Sequence, residues 1–549
     1  MEGVVRQHTK AGTDAGLARH FRRLRLTGFR LLFAGLCMLG WLSAAYAGTV
    51  YIKIKTQPAT VLAPGFSGFN VPQPRNGVEY YDPKFLAAVA PLHGGWVRYP
   101  GGTTSMDFDW STGFTNISWM NSLIAGNPPA VSGQASNILS TSQQLTQAKG
   151  GAMFSDFAAF AHSLGVPAIL CFNTFTDTNP GSATQMALAA QSYGLNVLEW
   201  ELGNEAYLYP QIYPTAASYA AASNSYYNDI VTGAPGATIG VFPGGWYPGT
   251  VGCGAPAADP QACFPSWDVG LQAYTPQYWN AASDHIYPVV GTQTAQNTIL
   301  ALNGVLAHGS ADYVNSYLVP LVGANTPIFI TELNCCSSYT NKFLSYIYNG
   351  IFLAEYIMRL SSVPSVKGVG INSLYTDNSD YHGLIQSVND FESYLFGQLA
   401  QNANYSTNTA TNPNTQFQFY TSAPGLAMEV ANQAINNSGH LWPTSVEGGP
   451  TVNIAGFDGN PIPAVYAQAY LAKTGHHYVL ITNKSAAAQT AIIDLNGAQV
   501  QATFTVTYVA NSSALAANSA IAPTNVQIQT TTSGNPVSLA PYSVTTVYW

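Results

Sequence analysis

Val197-Leu-Glu-Trp-Glu-Leu-Gly-Asn-Glu205 decides how this chain reads, together with Pro327-Ile-Phe-Ile-Thr-Glu332 farther on. In both stretches a short apolar run stops at a glutamate. Runs of this kind read as parallel strands buried on both faces. Six more runs of the same kind surround them: Gly65–Asn70, Trp96–Tyr99, Pro167–Asn173, Ala237–Phe242, Asp284–Tyr287 and Val366–Asn372. Helical patterns lie between them. Phe154–Leu164 repeats apolar residues every three to four positions, and Thr215–Val231 and Phe343–Leu360 are further helices. Eight strand–helix alternations predict a (β/α)8 barrel from about Val61 to Ala400.

Beyond Gln401 the composition turns to Asn, Thr and Ser, and short alternating strands appear. His477–Thr482, Thr490–Asp494, Thr503–Tyr508 and Ser543–Trp549 read as an antiparallel β-sandwich over 401–549. An extra strand, Val50–Ile54 within 48–60, is expected to join it from the N-terminal side of the barrel.

The first 47 residues read as an export signal, with a basic stretch through Arg19, Arg22, Arg23, Arg25 and Arg30, an apolar stretch from Leu31 to Ala44, and Ala45-Tyr46-Ala47 as cleavage site. The expected product is secreted or periplasmic and leaves the membrane after cleavage. It keeps 11 basic and 24 acidic residues, a net charge of −13, which argues against a nucleic-acid partner. Charged residues make up only 8% of the full chain, so its surface relies on neutral hydrogen-bonding groups and aromatic faces, which suit uncharged sugars. Cys253 and Cys263 bracket a loop and are expected to pair; Cys335 and Cys336 read either as a vicinal disulfide or as two thiols; Cys171 reads as inert core. No Cys/His spacing suggests a metal site, and no cofactor is expected.

In a barrel of this type the strand C-terminal ends converge on one face. Glu205 ends the fourth strand and Glu332 the seventh, so two carboxylates meet there. That pair suits hydrolysis of a glycosidic bond, with one group as proton donor and the other as nucleophile. Glu199 and Glu201 share the alternating face of Glu205 but lie deeper in the strand, where pairing with hydroxyls or a base is expected. Trp246, Trp267 and Trp279 are open between sugar stacking and core packing. Asp107 and Asp109 read as turn hydrogen-bonders.

These motifs resemble retaining glycoside hydrolases of clan A. Trp200-Glu-Leu-Gly-Asn-Glu205, Arg98-Tyr-Pro-Gly-Gly-Thr-Thr104 and the ending Leu539-Ala-Pro-Tyr-Ser-Val-Thr-Thr-Val look most like glycoside hydrolase family 79, the heparanase and β-glucuronidase family. Arabinofuranosidases and β-xylosidases of the clan share Asn-Glu and Pro-Gly-Gly. The resemblance implies Glu205 as acid/base, Glu332 as nucleophile, and carboxyl groups about 5 to 5.5 Å apart. It places Asn204 at the sugar 2-hydroxyl, Tyr287 and Arg98 against Glu332, His285 on the same face, and Tyr381 at a uronate carboxylate. The family also uses backbone amides of a glycine pair after its nucleophile; here Leu-Asn-Cys-Cys-Ser-Ser follows Glu332, and the nearest base after Glu332 is Lys342. A long polyanion is therefore not expected as substrate. The expected activity is a β-glucuronidase-like exo-glycosidase, with a neutral-sugar arabinofuranosidase or β-xylosidase, or an inactive carbohydrate-binding protein, as alternatives. Oligomeric state stays open.

Overall fold

The computed structural model describes residues 48–71, 80, 82–126, 153–246, 264–289, 293–338, 340–376, 381–387, 419–455 and 459–549. The expected leader, the Cys253–Cys263 loop and the expected boundary near Gln401 lie outside them. No described helix is long and apolar enough to cross a membrane.

Eight parallel strands close into a barrel: β1 (Ser67–Asn70), β2 (Val97–Tyr99), β3 (Ala168–Phe172), β4 (Val197–Leu202), β5 (Ile239–Val241), β6 (Ala281–Ile286), β7 (Ile328–Leu333) and β8 (Val366–Asn372). All eight expected strands are present, and β8 pairs with β1 in parallel to close the ring. Helix α1 (Phe154–Leu164) has the expected bounds and ends at Gly165, whose φ of 67° lets its N–H reach back to Ala161 and His162 carbonyls. Helix α2 (Ala216–Gly233) starts at a capping box, in which Thr215 and Ser218 satisfy each other's backbone N–H.

The expected helix Phe343–Leu360 is instead two pieces. A short turn, Lys342–Ser345, is followed by extended Tyr346 (ψ 150°) and then α3 (Ile347–Ser361). The restart has a tertiary cause: the first two N–H groups of α3 donate to Ala516 and Ala514 carbonyls, on a loop of the C-terminal region.

The C-terminal region stacks two sheets. Thr49–Ile54 sits between Thr444–Gly448 and Gln489–Leu495 in one of them, so the expected N-terminal strand is there. Its pairing with Gln489–Leu495 is parallel, an exception in an otherwise antiparallel sandwich. Its alternation buries Val50, Ile52 and Ile54, which pack with Val479, Ile481, Ile493 and Val547 between the sheets. The composition did not reveal α4 (Ala423–Ile435), a helix within the supposed all-β region. It lies against α3 and the sheet. Just past its end, Asn436 Oδ1 accepts from Ser67 N and Asn436 Nδ2 donates to Ser67 O, gripping the first residue of β1.

An ion network crosses the same seam. Glu355 of α3 accepts from Arg359 on one oxygen and from Lys484 and Thr482 of the sheet on the other. Burial alone would raise its pKa, but Lys484 and Arg359 outweigh burial and hold it below the usual carboxylate range. Lys484→Met should cost about 3 kcal/mol, the low end for breaking a buried pair because Arg359 remains, read by chemical denaturation. The lowered pKa fixes the sign with acid: this contribution is present above about pH 4.3 and is lost as pH falls through the folded value. Glu355→Gln should flatten that acidic slope, and an unchanged slope would contradict the assignment.

Candidate active site

Side chains alternate across a strand, so every second residue of each barrel strand points to the axis. The inward set near the strand C-terminal ends is polar: Asn70 on β1, Arg98 on β2, Cys171 on β3, Glu201 on β4, His285 on β6 and Asn372 on β8. Lower down, the barrel narrows around Trp96. A Cβ at Gly68 would stand 2.1 Å from that indole, and one at Gly370 2.3 Å, so glycine is needed at both positions.

Glu332 reaches the axis through an irregularity. Asp284 pairs with Ile330, but the next residue, His285, pairs with Glu332, so β7 carries one extra residue. Such a bulge re-aims a side chain. Thr331 and Glu332 consequently both face His285: Thr331 Oγ1 lies 3.2 Å from Nε2, and Glu332 Oε2 lies 3.8 Å from Nδ1.

Glu205 lies three residues beyond the end of β4, not within it. Gly203 (φ 80°) and Glu205 (φ 47°) both adopt left-handed backbone, a conformation costing a non-glycine residue roughly 1 kcal/mol or more. The coiled turn has two results. Asn204 Oδ1 accepts from the Arg98 guanidinium at 2.9 Å. The Glu205 carboxylate reaches the axis, where Oε1 accepts from Tyr207 Oη at 2.9 Å and lies 2.9 Å from His285 Nδ1.

One imidazole nitrogen thus touches Glu205 at 2.9 Å and faces Glu332 at 3.8 Å. The two carboxylate oxygens can be no farther apart than those distances together. That bound on the nearer oxygens is compatible with the retaining spacing of about 5 to 5.5 Å between carboxyl groups.

Arg98 organises the rest. Its guanidinium is fully buried. Nε donates to Glu201 Oε2 at 2.6 Å, one terminal nitrogen to Glu332 Oε1 at 2.7 Å, and the other to Asn204. Burial would lower its pKa, but Glu201 and Glu332 more than compensate, so it stays cationic. Glu332 Oε1 also accepts from Asn70, and Oε2 accepts from Tyr287 Oη at 2.5 Å and from Asn372 at 3.1 Å. All four groups donate, so both Glu332 oxygens act as acceptors. A Cβ on Gly102 would lie 3.6 Å from Oε1, which puts the Pro100-Gly-Gly102 turn against Glu332.

Deeper in β4, Glu199 accepts from Ser283 at 3.0 Å. Burial, and then the charge of Glu201, push its carboxyl well above the usual range. Both deep glutamates therefore pair with a hydroxyl or a base, as their depth suggested. Cys171 is buried, but in the polar interior rather than an apolar layer: its Sγ donates to Gly203 O, and burial, followed by Glu201, raises its pKa.

The structure thus brings together Glu205, Glu332, Asn204, Arg98, Tyr287 and His285. Tyr381 is half-buried beside Tyr420 on the segment after β8, and no described contact joins it to either glutamate. Trp246 and Trp267 belong to the core; Trp246 stacks on Tyr313, and Trp267 donates to Phe242 O. Trp279 packs against Tyr274 and Tyr278. Asp109 accepts from Ser111 as a turn residue. Sequence reasoning passed over Asn70, Asn372, Thr331 and Tyr207. The first two end strands that were recognised, so the strand-end logic applied to the glutamates would have found them. Thr331 needed the bulge, and Tyr207 the coiled turn. Among the described residues no His/Cys/Asp/Glu cluster suits a metal ion.

No protein-family model matches the sequence, and no curated protein matches it significantly. Solved structures do match in fold. An α-L-arabinofuranosidase from Thermotoga maritima superposes with a TM-score of 0.62 at 16% identity, covering 91% of this chain and 99% of that one. The GH51 arabinofuranosidase from Xanthomonas axonopodis pv. citri gives 0.60 at 14% over the same shares. A 4-O-α-L-rhamnosyl-β-D-glucuronidase from Fusarium oxysporum gives 0.54 at 14%, covering 91% of this chain and 100% of that one. The chain has the barrel-plus-sandwich fold of these clan A glycoside hydrolases.

His285 gives the site a measurable charge. Burial pulls its pKa down, but the carboxylates of Glu332 and Glu205 outweigh burial and hold it above the ordinary value of about 6.5. Removing an anion should reverse that: in Glu332→Gln the His285 pKa should fall, measured by NMR titration with labelled histidine. A rise or no change would mean that Glu332 does not face the imidazole.

Proposed function

We propose that the protein is a retaining glycoside hydrolase that removes neutral sugars by double displacement. The observation that carries the mechanism is the asymmetry of the two glutamates. Arg98, Asn70, Tyr287 and Asn372 fix both oxygens of Glu332, which suits a nucleophile aimed at one carbon. Glu205 lies nearer the rim with its side chain 12% exposed, which suits a group that exchanges protons with leaving group and water.

In the first step Glu332 attacks the anomeric carbon. The bond to the leaving oxygen breaks as Glu205 donates its proton, giving a glycosyl ester and a free alcohol. In the second step Glu205 takes a proton from water, which attacks the same carbon and releases Glu332. Two inversions retain configuration. With Oδ1 engaged by Arg98, Asn204 turns its amide N–H groups toward the sugar 2-hydroxyl.

Two observations favour a neutral sugar over a uronate. The two cationic groups at the described site are already engaged: Arg98 donates to three partners, and the His285 nitrogens lie against Glu205 and Thr331. Three of the amides following the nucleophile are also occupied: Asn334 N donates to Ile286 O, Cys335 N to Asn334 Oδ1 and Ser337 N to Val289 O. These two observations support a pentoside of the arabinofuranoside or xyloside type as the substrate. The glucuronide reading keeps the support of the Fusarium structure's fold and depends on Tyr381 as a neutral donor.

Glu332→Gln should abolish turnover without unfolding the protein, and a 2-fluoro glycoside of the correct sugar should label Glu332. Labelling elsewhere, or an inverted product, would sink the assignment. Glu205→Ala should cripple substrates with poor leaving groups, spare glycosylation by activated aryl glycosides, and yield a retained glycosyl azide when azide is added. Uniform loss without azide rescue would move the acid role to another residue.

An aryl glycoside panel separates the sugars. Arabinofuranosides or xylosides should be cleaved faster than glucuronides. The reverse order, with Tyr381→Phe cutting glucuronide turnover about ten- to a hundred-fold, as loss of a hydrogen bond to a charged group worth about 1.5 to 3 kcal/mol would, would establish the uronide instead.

A further inference from the structure

Cys335 and Cys336 take no part in the chemistry above. They stand on the loop leaving β7, directly after Asn334. Both are fully buried, and their sulfurs are 2.6 Å apart. In this structure both are free thiols in contact with each other, and either sulfur can donate to its neighbour. The backbone around them is held. Val289 N donates to Cys335 O, Ser337 N to Val289 O, and Cys335 N to Asn334 Oδ1. Cys171 is occupied elsewhere, on Gly203 O. The two sulfurs therefore face each other on a loop whose backbone is held on either side of them.

We propose that Cys335 and Cys336 form an oxidation site, closing to a vicinal disulfide as the protein folds and staying closed once buried, and that the closed ring holds the nucleophile's loop in place. The oxidant is an external disulfide, such as an oxidised thiol–disulfide exchange protein or oxidised glutathione. The two thiols give up two protons and two electrons, one sulfur–sulfur bond forms, and the external disulfide is reduced to two thiols. The exchange runs through a thiolate, so it precedes burial. In the folded protein, burial, followed by the neighbouring Cys336, pushes the Cys335 thiol well up. Adjacent Cα atoms of a trans peptide are about 3.8 Å apart, shorter than the roughly 4.4 Å at which disulfides usually begin. The ring is therefore a tight one.

The loop matters because of what Asn334 does. Its Nδ2 donates to Asn372 O at 2.6 Å, its Oδ1 accepts from Asn349 of α3 at 3.0 Å, and Asn372 in turn donates to Glu332. A ring at the next two residues fixes this chain of asparagines at its one loop member. The role assigned to Glu332 rests on the function proposed above; the existence of the ring does not.

Two measurements test this on the full-length protein recovered from an oxidising compartment. In the first, the protein is denatured in iodoacetamide without reductant, digested and mapped by mass spectrometry. The peptide holding both cysteines should be unalkylated and lighter by two hydrogens, and should take two labels only after reduction. Alkylation of both without reduction, or a bond from either to another cysteine, would overturn the proposal. In the second, activity on the best aryl glycoside is compared between protein unfolded and refolded with dithiothreitol present throughout and protein refolded without it. Wild type should lose activity several-fold, while the Cys335→Ser/Cys336→Ser variant, checked for folding by its thermal transition, should show no further loss. A ring found by mass but with wild-type activity indifferent to reductant would overturn its positioning role. If no glycoside is cleaved, the function proposal fails, and the mass map still decides the ring.

Discussion

A single guanidinium underlies the site. Arg98 is entirely inside the barrel, where an unpaired charge would be costly. It is tolerated because Glu201 and Glu332 neutralise it and Asn204 takes its remaining terminal nitrogen. Those partners come from β4, β7 and the turn after β4, so one buried charge cross-links three parts of the ring. The dependence is mutual: without Arg98, Glu201 would be a fully buried anion facing Glu199. The arginine supports folding and, at the same time, holds the carboxylate proposed as nucleophile.

That arrangement makes the upper barrel interior polar, where a barrel of this class is more often filled by branched aliphatic side chains. The lower interior differs in kind. Trp96 takes much of it, beside the Glu199–Ser283 pair, and the facing glycines on β1 and β8 leave the indole its space. A polar layer therefore rests on a packed floor, and the groups above cannot sink to find other partners. The bulge in β7 and the left-handed turn at Glu205 are the two places where regular geometry gives way. Each delivers a carboxylate to the same imidazole. Strain at these positions is held by the surrounding hydrogen bonds.

The sandwich contributes more than an attached mass. Through α4 it grips the first residue of β1, and through the Ala514–Ala516 carbonyls it caps the start of α3. Asn349, in the first turn of α3, then holds Asn334 in the loop after Glu332. The C-terminal region thus reaches the loop behind the proposed nucleophile by two hydrogen-bonded steps.

Much of this was legible in the residues. The barrel strands were visible because apolar runs of four to eight residues between helical patterns leave few alternative readings, and the sandwich strands because alternation has a fixed period. Glu205, Glu332 and Arg98 stood out because buried strand ends rarely carry charge without a use. The sequence alone determined the strand order and which strand ends carry Arg98, Glu205 and Glu332. Tertiary structure decided what they do to each other. Arg98 could have been an ion-pair partner of anything nearby; closure of the ring put Glu201, Glu332 and Asn204 within its reach. Nothing local told Ile347 to begin a new helix, since its capping carbonyls come from more than 160 residues downstream. The placing of Glu332 beside His285 was equally non-local, because a bulge exists only relative to the neighbouring strand, and a single strand carries no record of its register.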